Sequence, residues 1–412
     1  MLQLKTAQRP RKRTARARIG LAVAGGGPIG GMYELGALRA LDEAIEGLDL
    51  RALDVYVGVS SGAFIAAGLA NRLDIAEMCR IFVTGDSDQA TFRPETFLRP
   101  AFYEYLRRAA GVPRMLWRWA GDFARNPFDL RASDALLRIG SVLPTGLFDN
   151  SAVERFLLDL FTSHGRSDDF RELERKLYVV AVELDSGEAV RFGSEGYDHV
   201  PISRAVEASA ALPGLYPPVE IDGRYYVDGA LRRTLHASVA LDAGADLVIG
   251  INPLVPFDAP RAHASGKRTS DSLLEGGLPA VLSQTFRTLL QSRVETGVSR
   301  YAERYRHADL ALLEPNPDDV EMFFTNVFSY AHRKRLAEHA YQATRADLRL
   351  HRAEIDALLE RHGLAVRGDA LDDTRRTLAS GLRQPKGRTS ATANLDNALA
   401  DLKKTLKKQK IA

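Results

Sequence analysis

Ile19-Gly20-Leu21-Ala22-Val23-Ala24-Gly25-Gly26-Gly27-Pro28-Ile29-Gly30-Gly31 sets a short apolar run against a glycine turn, and a helical pattern through Leu35, Leu38 and Leu41 follows it. The grammar is strand, turn, helix. Val55-Tyr56-Val57-Gly58-Val59-Ser60-Ser61-Gly62 repeats it and leads into Ala63-Phe64-Ile65-Ala66-Ala67, whose small apolar side chains suit a buried helix. Two βα units in close succession imply a parallel sheet with helices on its faces, an α/β class.

Outward from these units the strand signal returns at Leu177–Val182, and Val190-Arg191-Phe192 after Ser186-Gly187 reads as its hairpin partner. Val219-Glu220-Ile221 and Arg224-Tyr225-Tyr226-Val227 flank Asp222-Gly223, the strongest short signal for a tight hairpin, and the second strand ends in Asp228-Gly229. Leu247–Ile251 is unbroken apolar and reads as a further buried strand. Residues 259–277 read as polar loop, and helical periodicity spans about 278–305 and 329–360. This divides the chain into a basic arm (1–18), a catalytic core (19–253) with a helical insertion at about 86–149, a loop and helical C-terminal part (254–366), and a charged, partly disordered tail (367–412). No internal repeat is present.

The chain has 412 residues, 45% hydrophobic and 26% charged, which excludes global disorder and allows a sizeable core. Its net charge of +3 is uneven: Lys5, Arg9, Arg11, Lys12, Arg13, Arg16 and Arg18 crowd the start, and Lys403, Lys404, Lys407, Lys408 and Lys410 the end. Both runs suit solvated tails or attraction to an anionic membrane. Nucleic acid is disfavoured as a partner, since no aromatic-interleaved platform accompanies the charge. The single cysteine, Cys79, forbids an intrachain disulfide and fits a cytoplasmic setting. Neither a secretory signal nor a run of about 20 apolar residues occurs, so membrane contact is expected to be peripheral.

Gly58-Val59-Ser60-Ser61-Gly62 satisfies the G-x-S-x-G nucleophile elbow, in which a cramped strand-to-helix turn presents a serine hydroxyl above the sheet. The alternative is a plain βα turn. Acyl transfer also needs donors for the developing oxyanion, and the bare amides of Gly25, Gly26 and Gly27 suit that task. Gly25, Gly27 and Gly30 equally satisfy a dinucleotide fingerprint, but no acidic residue clearly ends a second strand at the required distance. None of the nine histidines stands in a recognisable strand-end context. Asp228, in the apolar setting of Tyr225, Tyr226 and Val227, is the better base, because burial raises a carboxylate's proton affinity. Its other reading is a simple Asp-Gly turn. No cluster has metal-ligand spacing, and no cofactor is called for.

Gly25-Gly26-Gly27-Pro28-Ile29-Gly30, Gly58-Val59-Ser60-Ser61-Gly62 and Asp228-Gly229-Ala230, in this order, resemble the patatin-like phospholipase family, as does Ala208–Val219 leading to the aspartate. The resemblance covers roughly residues 19–253. It implies a three-layer α/β/α fold with a mainly parallel central sheet and metal-free hydrolysis of lipid acyl esters. It also implies a Ser60–Asp228 dyad, an oxyanion loop at Gly25, Gly26 and Gly27, and motif glycines at Gly30, Gly58, Gly62 and Gly229. Ile29 stands where that family usually has Arg or Lys.

On this reading a phospholipase A or lysophospholipase-like enzyme releases free fatty acid from a lipid or acyl-ester substrate. The alternatives are a carboxylesterase, thioesterase or polyester depolymerase on the same dyad, or a non-catalytic lipid-binding protein. Phe102–Trp119, with Trp117 and Trp119, and Met322–Phe328 read either as packed cap or core or as interfacial segments.

Overall fold

The computed structural model describes residues 1–8, 16–101, 145–270, 272–325 and 332–382. Its centre is a set of parallel strands whose apolar strings are covered on both faces. Ile19–Val23 (β2, after the edge strand β1, Leu2–Lys5), Val55–Gly58 (β3), Leu247–Ile251 (β8) and Asp309–Leu313 (β9) are buried at every position. Such strings need helices above and below them.

Between β3 and β8 lie Lys176–Glu183 (β4), Ala189–Phe192 (β5), Val219–Ile221 (β6) and Arg224–Asp228 (β7). The nine-stranded sheet among the described residues runs β1-β9-β8-β2-β3-β4-β7-β6, with β5 also paired to β4. From β9 to β4 the pairing is parallel; β1, β5, β6 and β7 enter antiparallel.

Strand alternation sorts the core onto two faces. Ile19, Leu21 and Val23 join a large cluster with Gly27–Ala44 (α1), Ser61–Ala70 (α2), Ser151–Thr162 (α3), Ile202–Ser209 (α4) and Arg333–Leu350 (α7). Ala22 and Ala24 face the other way, onto Ala237–Asp242 (α5) and the C-terminal half of Gly277–Arg304 (α6) through Val239, Val294 and Val298. The result is the three-layer α/β/α arrangement.

Several elements differ from the sequence expectation. The first residues are not wholly an arm, because Leu2 pairs with Leu313 and Lys5 with Leu310. The sheet also extends beyond residue 253 through β9, so the core draws on the C-terminal part. Both strands are short and lack turn signals, and only the pairing makes them strands. Residues 259–277 contain a helix at Ala259–Ala264, capped by the Asp258 side chain, and the long C-terminal periodicity breaks at His351 into α7 and Arg352–Glu360. The tail packs as far as residue 382: Leu371 and Leu378 are buried, and the fully buried Arg345 donates to the carbonyls of Ala370, Leu371 and Asp373. Phe102–Trp119, residues 326–328 and the lysines from Lys403 onward lie outside the described residues.

Candidate active site

The register of β4 brings the two motif residues together. Its Val179 pairs with Gly58 at the end of β3, and its Ala181 pairs with Asp228 at the end of β7. Two strand ends that are far apart in sequence therefore meet over two residues of a third strand. Val180, between them, receives a hydrogen bond on its carbonyl from Ser209 Oγ at 2.6 Å, and the same Oγ accepts from the Ser60 N–H at 2.9 Å. Asp228 N–H is tied to the Ala211 carbonyl at 3.0 Å.

Ser60 caps α2 with φ 51° and ψ −121°, a region that a residue with a Cβ enters only under strain. The elbow tolerates this because its glycines let the backbone close up. A Cβ at Gly62 would collide with the Val23 carbonyl oxygen and stand 2.6 Å from that of Ala24, so α2 starts hard against β2. Gly58 and Gly229 are pressed in the same way against Ala63 and the Val180 carbonyl.

Ser60 and Asp228 are both buried and line the same cavity, and the Ser60 side chain lies near enough to Asp228 to favour its carboxylate. Burial pushes the Asp228 carboxyl up to about 6; the N–H of Ala230, donating to its Oδ1 at 2.8 Å, and the Ser60 contact pull the other way. A carboxylate of that affinity is ionised near neutrality yet takes a proton more readily than an exposed one.

The glycine loop lies alongside. A Cβ at Gly25 would be 2.9 Å from Ser60 Cβ, and Gly27 heads α1, where first-turn amides have no intrahelical acceptor. Gly26 is engaged differently, because its N–H donates to Ser61 Oγ at 3.0 Å, and Ser61 Oγ donates to Glu34 Oε1 at 3.0 Å. Glu34 is fully buried, its second carboxyl oxygen has no hydrogen-bond partner among the described residues, and desolvation holds its proton affinity well above the usual carboxylate range. Gly30 packs against Pro253. Ile29, in place of a basic residue, is buried in the wall of the adjoining cavity.

That cavity has a volume of about 470 Å³ and runs from Ser60, Asp228 and the glycine loop to Phe64, Phe82, Phe92 and Phe97. No histidine is among its lining residues. Among the described residues no group of three or more metal-ligating side chains occurs, and no helix is long and apolar enough to cross a membrane.

The sequence pattern of patatin-like phospholipases matches residues 21–241, more than half of the chain. The chain belongs to the patatin-like phospholipase family. It thus carries the fold and domain of a lipid ester hydrolase. Lysophospholipase NTE1 of Coccidioides immitis is 25% identical over 237 residues, 57% of this chain but 11% of that one. An uncharacterized protein of Acanthamoeba polyphaga mimivirus is 26% identical over 224 residues, 54% of this chain and 62% of that one. The patatin-like chain thus spans only part of the length of both relatives. Among solved structures, VipD from Legionella pneumophila aligns with 80% of this chain and 67% of its own, at 14% identity and a TM-score of 0.34.

Sequence reasoning missed Ser209, Ser61 and Glu34. Ser209 lies in the segment that resembles the family, yet nothing local signals that it bonds a residue 149 positions away. Glu34 offered one available sign, a carboxylate between Tyr33 and Leu35 on the apolar side of α1.

Proposed function

We propose that this patatin-like protein is a serine acyl hydrolase of lipid esters, with Ser60 as nucleophile and Asp228 as base. The observation that carries the reading is the meeting of Ser60, on its strained elbow, with a buried Asp228 of raised proton affinity at one end of an apolar cavity. Ser60 Oγ attacks the acyl carbonyl carbon as its proton passes to Asp228, and the carbonyl oxygen becomes the oxyanion. The amides of the Gly25–Gly27 loop receive that charge, with Gly26 held by Ser61 as the strut that keeps Gly25 and Gly27 in place. Collapse expels the alcohol portion, which takes the proton from Asp228. Water then attacks the acyl-enzyme with Asp228 again accepting the proton, and collapse returns that proton to Ser60 Oγ as the free fatty acid leaves. The aromatic and aliphatic lining favours a long acyl chain, and the lysophospholipase relative supports glycerophospholipids or their lyso forms as substrates.

The test is release of fatty acid from phosphatidylcholine and lysophosphatidylcholine by the wild type, Ser60→Ala and Asp228→Asn. Each variant is expected to lose about 10⁴-fold or more in rate, and the double variant no more than either single one, because the pair acts as a unit. Wild-type inactivity, or a variant within tenfold of wild type, would overturn the dyad.

A further inference from the structure

The 28-residue helix α6 turns one face to solvent over its whole length. Positions 278, 282, 289, 293, 300 and 304 are separated by steps of four and seven, which keeps all six on one side of a helix about 42 Å long. The first three are leucines, exposed by 69%, 58% and 59%; the last three are exposed arginines. Scattered surface leucines need no explanation, but a continuous row that changes from leucine to arginine along one face does.

Each half of the row borders a cavity. On the leucine half, Ser283, Phe286 and Arg287 of the same helix form part of the wall of the catalytic cavity, so the exposed leucines flank that cavity. On the arginine half, a second cleft of about 750 Å³ is lined by Arg293, Arg300 and Arg304 together with Arg232 and Arg233, and by no carboxylate. Glu188 and Asp242, outside that lining, pair with Arg232 and Arg304. Arg233 and Arg300 have no ion-pair partner among the described residues. Arg293 donates to the carbonyls of Leu231 and Arg232 at 2.7 and 3.1 Å, which anchors the loop just past Asp228 to α6.

We propose that this face of α6 docks on an anionic lipid surface, with Leu278, Leu282 and Leu289 in the acyl boundary and the arginines on lipid phosphates. With α6 inclined to the bilayer, its leucine end reaches the acyl boundary beside the cavity lined for acyl chains while its arginine end stays at the phosphates. The inference rests on the lipid-hydrolase reading for its purpose, but it is tested by binding without turnover.

The experiment uses the full chain carrying Ser60→Ala and measures co-sedimentation with phosphatidylcholine vesicles with and without phosphatidylglycerol. Binding is expected to rise with phosphatidylglycerol and to fall with salt. Replacing Leu278, Leu282 and Leu289 by Ser should weaken it to both vesicles by about tenfold or more. Arg233→Gln with Arg300→Gln should weaken only the phosphatidylglycerol-dependent part, by about fivefold per arginine. In the active protein these substitutions should leave hydrolysis of soluble p-nitrophenyl butyrate and the circular-dichroism melt unchanged.

Vesicle binding that ignores the leucine substitutions overturns the proposal. So does light scattering that shows a dimer dispersed by them, which would assign the face to a second copy of the chain. Failed binding with intact butyrate hydrolysis overturns the docking face alone; normal binding by a wild type that hydrolyses nothing overturns the active-site reading alone.

Discussion

The two βα turns of this protein follow neighbouring parallel strands, with Val23 of one paired to Gly58 of the other, and both pass through positive φ. The first does so at Gly27, φ 61°, and the second at Ser60, φ 51°. Glycine enters that region without strain and leaves its amides bare. Serine enters it at a cost of order 1–3 kcal/mol and gains a hydroxyl held at a defined point. One turn is thus suited to donate hydrogen bonds to a negative charge, the other to create that charge. The difference lies in which turn has a side chain at the strained position.

The two turns should lose this division of roles when the first is given a side chain of its own. Gly25→Ala would place a methyl 2.9 Å from Ser60 Cβ and 3.2 Å from Ala230 Cβ, moving the loop off the serine. The expected loss in kcat on a short-chain ester is about 10²–10³-fold, typical of removing an oxyanion donor. A loss below tenfold, measured by steady-state kinetics, would remove the loop from the mechanism.

Next comes the pH dependence of the second turn's partner. With Asp228 raised to about 6, kcat/KM should climb as pH rises through 6 and level off above it. Stability moves the opposite way. The unfolded chain releases this proton near the ordinary value of 3.8 and the folded chain only near 6, so between those values the folded state binds more protons and stability falls as pH rises. Asp228→Asn lacks that loss. Its stability relative to wild type should improve between about pH 4 and pH 6 by about 3 kcal/mol, read from urea unfolding at several pH values.

Smaller effects refine the contrast. Ser61→Ala removes the acceptor for Gly26 and the partner of Glu34, and should lower stability by about 1 kcal/mol. Similar in size and opposite in sign, Ser60→Gly should relieve the elbow and raise stability by about 1 kcal/mol, seen as a small rise in Tm, while abolishing ester hydrolysis. A fall in Tm would mean that the Ser60 side chain contributes more through its contact with Asp228 than its backbone loses.

The features that rest on local chemistry were legible in the amino acids alone. Apolar strings marked the parallel strands β2, β3, β4 and β8, Gly58 and Gly62 marked the elbow, and Asp222-Gly223 marked the hairpin that carries Asp228. Each is decided by residues only a few positions apart, through turn conformation and side-chain alternation. The rest depends on contacts between distant segments. Leu2–Lys5 and Asp309–Leu313 are strands because they pair with each other, across about three hundred residues, and the second also pairs with β8. Ser209 ties Ser60 directly to Val180, and Glu34 reaches the glycine loop through Ser61. Such contacts join elements whose relative positions follow from packing the whole core, and a buried hydroxyl or carboxylate shows no local pattern that names its partner.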